Sequence, residues 1–319
     1  MHLLRTLTCL AISLAATLIP AHAFAQEVVR LVVPFAAGNA LDAAARALAE
    51  NLAHTLKRQV IVDNKPGAGG VIGTAEVARA KPDGSVLLFT TGGHTTSAVL
   101  YTKLPYNVLK DFTPITQITV SPGFVLLVRA DSPYQTMEQL LQAARAKPGT
   151  ISYGSWGMGN TTHLLGELFD RSAGVKLVHV PYKGSPLTDF LGGHVDLTWL
   201  GTSLALPLIQ EGKVRALAIS HDQRAASLLD VPTLTELGIK GVDIPAWSGL
   251  LGPAGMSPAL AQSLQRAVVA AVARPEYLAA VKIFNTTLVT STPEQFAAYL
   301  DSEVRRYRAQ IGPLNIQLD

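Results

Sequence analysis

Short apolar runs rich in β-branched residues recur along the chain, and stretches with helical spacing lie between them. Val28 to Phe35 (VVRLVVPF) reads as a buried strand and Asp42 to Leu56 as an alanine-rich helix. Gln59 to Asn64 (QVIVDN) and Val86 to Thr90 (VLLFT) are further strands, with a helix over Gly70 to Ala80 between them. The alternation resumes at Phe124 to Arg129 (FVLLVR). Helix Thr136 to Ala146 leads to strand Ile151 to Gly154, and helix Thr162 to Ala173 to strand Leu177 to Val180. A helix near Leu187 to Gly192 precedes strand Val195 to Leu200, and Val214 to Ser220 is another strand. The end is helical, over Pro258 to Ala273, Pro275 to Phe284 and Pro293 to Ile311. Strands alternating with helices predict an α/β protein whose parallel sheets are covered by helices on both faces.

With the first 25 residues set aside, almost 300 remain, past the length at which one core usually splits into two. No low-complexity linker interrupts the order, so two lobes would be joined by strands that cross between them. Val125 to Arg129 and Trp247 to Gly252 (WSGLLG) fit that role. The expected first lobe is residues 26–128 plus 247–319, and the second is 129–246.

In open α/β sheets ligands bind beyond the carboxyl ends of strands, and several such ends here carry unusual residues. Pro34 to Asp42 (PFAAGNALD) is a tight strand-to-helix turn, where free backbone N–H groups and the helix dipole can bind an anion without arginine. Asn39 or Asp42 could equally cap that helix. Thr90 to Thr96 (TTGGHTT) reads as a loop after a strand, rich in glycine and hydroxyls, with Thr90 and Gly92 the candidate contacts. Tyr153 to His163 (YGSWGMGNTTH) again ends a strand in glycines and hydroxyls, and Ser155, Asn160 and Thr161 can donate hydrogen bonds there. Tyr182 could flank a bound ring or carboxylate, or equally pack at an edge, and Lys183 reads as a solvated charge.

The N-terminus changes the picture of where the protein works. Met1 to Thr8 carries Arg5 and no acid, Leu7 to Ile19 is almost wholly apolar, and small residues then end in Ala23-Phe24-Ala25. That layout predicts a secretory signal peptide cleaved after Ala25, with Ala23 the alternative, and hence a periplasmic protein. A membrane anchor would need about 20 apolar residues. The single cysteine, Cys9, sits inside the apolar segment rather than after it, which argues against a lipid anchor. Cleavage would leave no thiol for a disulfide, a nucleophile or a metal.

Composition excludes more than it proposes. Charged residues are 15% of the chain and apolar ones 48%, which suits a compact protein with large buried sheets. The net charge of +3 shows no basic cluster of the nucleic-acid kind. No GxxxxGK[ST] loop is present, and the glycines after Tyr153 do not match GxGxxG. The residue two before Ser155 is Tyr153, so the esterase elbow GxSxG fails. No histidine pair has metal-ligand spacing. No metal or cofactor is expected.

Taken together, the loops closely resemble the extracytoplasmic receptors of tripartite tricarboxylate transporters, the Bug receptors. The matching stretches include Pro34-Phe35-Ala36-Ala37-Gly38 with Asp42 and Ala45-Arg46, Asp63 to Gly70 (DNKPGAGG), and Lys103-Leu104-Pro105-Tyr106. Tyr153-Gly154-Ser155 with Gly157, Gly159, His163 and Leu164 follows, then Val180 to Gly184 (VPYKG), Leu191 to Asp196 (LGGHVD), Asp230 to Thr233 (DVPT) and Trp247 to Leu250. Their number, order and spacing span essentially the whole chain after the signal segment.

The resemblance implies a Venus-flytrap of the periplasmic-binding-protein kind, monomeric, with a small carboxylate held between the lobes by backbone amides and hydroxyls. It implies delivery to membrane transporter subunits of the tripartite tricarboxylate type. Use of the same fold as a solute sensor is the alternative, and a periplasmic hydrolase is a third reading. Carried over residue by residue, Phe35, Ala37, Gly38, Asn39 and Asp42 become first-lobe ligand contacts, and Ser155, Gly159, Asn160, Thr161 and Tyr182 second-lobe contacts. The chain departs from the family pattern at Asn39, Asn160 and Leu200-Gly201, where an Asp-Asn pair is common. Losing that acid lowers the expectation of an amino-acid ligand. Trp156 and Trp199 would suit an apolar ligand body if they face the cleft.

Overall fold

The computed structural model describes residues 28–311 apart from 39, 122 and 283–285. The signal segment and Asn39 lie outside the described residues. The first half runs β1 (Val29–Val33), α1 (Ala40–Leu56), β2 (Val60–Asn64), α2 (Val71–Ala78), β3 (Val86–Thr91), α3 (Gly93–Leu100) and β4 (Phe112–Ser121). The middle runs β5 (Phe124–Arg129), α4 (Met137–Ala146), β6 (Ser152–Ser155), α5 (Thr161–Ala173), β7 (Val178–Pro181), α6 (Leu187–Leu191), β8 (Leu197–Gly201), α7 (Thr202–Gln210) and β9 (Val214–Ile219). The chain ends in β10 (Ala246–Pro253), α8 (Pro258–Val272), α9 (Pro275–Val281), β11 (Thr287–Leu288) and α10 (Pro293–Ile311).

These strands make two sheets, ordered β11-β4-β10-β3-β1-β2 and β7-β6-β8-β5-β9. Both are mixed rather than parallel. β1, β2 and β3 pair parallel, as do β6, β7 and β8, but β10 runs antiparallel to β3 and β4, and β5 antiparallel to β8 and β9. The antiparallel members flank the passages between sheets, where the chain reverses instead of returning through a covering helix.

The chain leaves the first sheet after Ser121 and enters the second at Phe124. β5 is therefore hydrogen-bonded into the second sheet along its whole length, and the expected boundary at 128/129 falls at its end rather than its start. Val125, Leu126, Leu127 and Val128 are fully buried, the continuous apolar run of a strand covered on both faces. At the passage the Phe124 N–H donates to Ser220 Oγ at 2.9 Å, and the Ser220 N–H donates back to Phe124 O at 2.8 Å. Gly123 has φ +65°, and a Cβ there would stand 2.5 Å from Ser220 O, so the two connecting segments can lie this close only with glycine.

Each sheet carries its own apolar layers. Leu31, Leu48, Leu52, Leu87 and Phe89 pack in the first body, and Tyr153, Phe169, Leu197 and Trp199 in the second. α10 touches both. Phe296, Leu300 and Val304 pack in the first body, Tyr307 packs in the second core, and Arg306 donates to Asp243 O at 2.9 Å.

Two helices escape the sequence pattern. α3 was expected to be a loop, because GGHTTS is rich in helix-breaking residues. Its hydroxyls are turned inward onto the helix: Thr95 donates to Gly92 O at 3.0 Å and Ser97 to His94 O at 2.8 Å. Burial against both bodies holds it, with Thr95 and Thr96 fully buried. α7 starts directly from the end of β8 without a capping side chain, so no start signal marks it.

Candidate functional site

Four helix starts converge on one cavity of about 200 Å3 between the two sheets. Gly92 at the start of α3 and Leu41 and Ala44 of α1 come from the first body. Asn160, Thr161 and Thr162 of α5 and Gly201 and Ser203 of α7 come from the second. The starts of α3 and α7 have no side-chain cap, so the positive ends of these helices face the space unneutralised. Among the described residues no Asp, Glu, Lys or Arg lines the cavity, and its walls are hydroxyls, one amide and apolar side chains. A second chamber of about 170 Å3 adjoins it, lined by Phe35 to Gly38 and Lys183 to Ser185. Phe35, Trp156 and Leu204 line both chambers.

The two bodies touch around the cavity. Thr96 Oγ1 donates to Gly159 O at 3.1 Å, and the Tyr101 hydroxyl lies 3.1 Å from both Ala68 O and Met158 O. Gly159 has φ +77°, and a Cβ there would stand 2.3 Å from the Tyr101 ring, so only glycine lets the β6–α5 turn seat on α3.

Of the residues singled out by sequence, the structure brings Phe35, Gly92, Asn160 and Thr161 to the main cavity. Asn160 is 7% exposed; its Oδ1 caps α5, accepting from Thr162 N at 3.0 Å and from Thr162 Oγ1 at 3.1 Å. Its Nδ2 has no hydrogen-bond partner among the described residues, nor has Thr161 Oγ1, and both residues line the cavity. Ala37 and Gly38 are exposed and line the outer chamber.

The others are placed elsewhere. Asp42 is buried and engaged with its own turn, accepting from Gly38 N at 2.9 Å, Arg46 Nε at 3.0 Å and Asn64 Nδ2 at 3.0 Å. Burial pushes its carboxyl up, but the Gly38 N–H, Arg46 and Asn64 together outweigh that and hold it below the usual carboxylate range. Thr90 is buried within β3, and its neighbour Thr91 reaches the cavity wall instead, as strand alternation requires. Tyr182 is half-buried and packs against the cluster of Phe190, Val195 and Leu200 in the second body. Gly159 contacts Tyr101 rather than the cavity. Trp156 lines both chambers, whereas Trp199 is fully buried against Phe169.

Ser155 is also fully buried and does not line the cavity. Its hydroxyl lies 2.6 Å from His179 Nε2, the His179 ring stacks on His163 at 4.1 Å, and His163 Nε2 lies 3.5 Å from Glu167. His163 Nδ1 accepts the Gly159 N–H at 3.3 Å. This chain resembles a nucleophile–base pair on paper, but no substrate can reach Ser155, and its contacts fasten the β6–α5 turn. Burial, with His163 adding to it, lowers the His179 pKa to about 4, so the ring stays neutral.

Sequence reasoning missed Thr119, Ser121, Ser203, Trp247, Ser248 and Tyr277 on the cavity wall. Trp247 and Ser248 lie on β10, which was read only as a connection, and a β-strand's wall-facing residues carry no loop signal.

Two α/β bodies, two chain passages and a ligand-sized space between them define the class of two-lobed periplasmic binding proteins. The chain belongs to the tripartite tricarboxylate transporter receptor family, whose model matches residues 44–316. A protein of Pseudomonas sp. strain P51, described as a UPF0065 protein in the tcbD-tcbE intergenic region, is 34% identical over 292 residues, covering 91% of this chain and 87% of that protein. The solved periplasmic binding protein BugD is 33% identical with a TM-score of 0.85, covering 91% of this chain and 99% of that one. MatC of Rhodopseudomonas palustris, solved with bound malate, is 29% identical with a TM-score of 0.84, covering 89% and 98%. The family is one of solute receptors, not enzymes. Among the described residues no helix is long and apolar enough to cross a membrane, and no cluster of three or more His, Cys, Asp or Glu could hold a metal.

Proposed function

We propose that this protein captures a small carboxylate between its lobes in the periplasm and presents it to membrane subunits of a tripartite tricarboxylate transporter. The observation that carries the reading is the convergence of four helix starts on one cavity without a charged side chain. A helix start presents roughly half a positive charge and unsatisfied N–H donors, the natural partner of an anion; α3, α5 and α7 carry no acid in their first turn, whereas α1 carries Asp42. Asn160 Nδ2 and Thr161 Oγ1 add unpartnered donors from the second lobe, and Phe35 and Gly92 stand opposite in the first. Family membership supports the carboxylate, and a relative solved with malate supports its size. The first lobe comprises the segments up to β4 and from β10 onward, the second the segments from β5 to β9, and ligand favours the arrangement in which both sets of contacts are made. Export through a signal peptide cleaved after Ala25 completes the reading.

Thermal unfolding of ligand-stripped protein against a panel of mono-, di- and tricarboxylates, aromatic acids, amino acids and neutral sugars tests it. Binding at 100-fold excess over Kd adds about 2.7 kcal/mol to the folded state, so the right acid gives a clear shift. Stabilisation by sugars and by no acid would refute the reading.

A further inference from the structure

We propose that the resident ligand is a monocarboxylate with an apolar, ring-sized body. This rests on the carboxylate reading and narrows it. Five aromatic residues, Phe35, Phe124, Trp156, Trp247 and Tyr277, line the main cavity, far above the 6% aromatic content of the chain. Leu41, Leu204 and Val281 add aliphatic wall. This aromatic and aliphatic part of the wall gains from burying a ring and offers no partner to a second carboxylate, while the Ser and Thr hydroxyls of the same cavity are neutral. The volume, about 200 Å3, exceeds the roughly 150 Å3 of an apolar protein cavity that holds benzene, by about what a carboxylate needs.

Charge bookkeeping points the same way. The helix starts and the open donors Asn160 Nδ2 and Thr161 Oγ1, on side chains more than nine-tenths buried, can hold one carboxylate. Among the described residues no cation lines the cavity to neutralise a second buried anion, and no acid lines it to receive an ammonium. The undescribed internal positions are Asn39, Pro122, Ile283, Phe284 and Asn285, none of them ionisable. Among the described residues Lys183 is the cationic side chain that lines the outer chamber; it is exposed and forms no ion pair among them. A monoacid in the inner chamber does not call on it.

Calorimetric titration of ligand-stripped protein with benzoate, cyclohexanecarboxylate, succinate, citrate and glutamate decides the matter. The two ring acids should bind at least about tenfold tighter than the other three, a margin of 1.4 kcal/mol. Trp156→Ala should weaken ring-acid binding by about tenfold or more and Trp156→Phe should restore most of it. Lys183→Gln should leave ring-acid affinity within about twofold, as expected for an exposed charge. Tight binding of succinate, citrate or glutamate with weak binding of both ring acids overturns the proposal and leaves the carboxylate receptor standing. A loss of about tenfold or more in Lys183→Gln places an anionic group in the outer chamber and also overturns it. Silence from every acid overturns both readings.

Discussion

The β1–α1 turn and the β6–α5 turn start from similar material. Each leaves a parallel strand through a glycine-containing turn and enters a long helix, and each carries a polar side chain at the helix start. In the β1–α1 turn the group is Asp42, in the first turn of α1, and its carboxylate takes up the Gly38 N–H, Arg46 and Asn64. Its capacity to greet an anion is already filled by the protein's own anion. In the β6–α5 turn the cap is Asn160, whose amide splits the work: Oδ1 holds Thr162 while Nδ2 has no partner among the described residues, on a residue that lines the cavity. An acid in the first turn answers the positive end of a helix with the protein's own charge, and an amide cap leaves that end available to a carboxylate. Each lobe contributes both apolar and hydroxyl wall, Phe35, Trp247, Thr91 and Ser248 from the first and Trp156, Leu204, Thr161 and Ser203 from the second.

The sharpest way to break this contrast is to make the second turn like the first. Asn160→Asp keeps the Oδ1 cap but replaces the open donor by a negative charge facing the ligand. Carboxylate affinity should fall by more than about 100-fold, or 2.7 kcal/mol, while unfolding temperature without ligand changes little. Calorimetry beside thermal unfolding measures both, and unchanged affinity would dissolve the distinction.

The converse change is Asp42→Asn. Its amide would face Arg46 and Asn64 donors, so stability should drop by about 1–3 kcal/mol, the lower part of that range applying because Arg46 is half exposed. Carboxylate affinity should stay within about twofold, since the Asp42 carboxylate is already engaged by Gly38, Arg46 and Asn64. Chemical denaturation and calorimetry on one preparation test this.

Acid should also separate the turns. His179, fastened to Ser155, has a folded pKa of about 4 against 6.5 when free, so the unfolded chain binds more protons between those values. Its share of stability is complete above pH 6.5 and is lost as pH falls toward 4, by about 1–2 kcal/mol at pH 5. Buried His94 on α3, also lowered to about 4, adds a loss of the same sign. Asp170, raised by burial to about 6, works against both, because the folded chain holds its proton more tightly between pH 3.8 and 6. The carboxyl of Asp42 is held below 3.8, so the β1–α1 turn keeps its contacts throughout this window. Hydrogen exchange at pH 7 and pH 5 should show faster opening at residues 155–162 than at 34–42. Equal acceleration of both would contradict the assignment.

A smaller effect is expected at the lobe contact. Tyr101→Phe removes a hydroxyl shared by Ala68 O and Met158 O. The loss of about 0.5–1.5 kcal/mol falls on the arrangement with the lobes together, so affinity should weaken about threefold to tenfold. Scattering should show a more extended unliganded protein, and identical profiles would show that the hydroxyl does not hold the lobes.

Much of the fold was legible because apolar runs and helical spacing survive wherever both faces of an element are covered, as in β1, β5 and α5. Helix α3 was not, since its residues favour turns locally and only burial against two bodies makes them helical. The parallel sheets expected from alternation became mixed at the two passages, where direction follows lobe connectivity rather than local pattern. At the site, the β6–α5 turn was legible as glycines and hydroxyls after a strand. Which side chain faces the cavity was not, because Thr90 and Thr91 differ only in strand phase, and Ser155 and Asn160 only in what lies behind them. Trp247 and Ser248 were invisible as wall residues because a sheet interior and a cavity wall share one composition.

A crystal structure of the protein with the carboxylate that stabilises it most tests the central claim most directly. The account predicts the carboxylate in the inner chamber, with an oxygen about 2.7–3.2 Å from Asn160 Nδ2 or Thr161 Oγ1 at the start of α5. A carboxylate seated instead on the Gly38 turn or against Lys183, with the inner chamber filled by water, would contradict it.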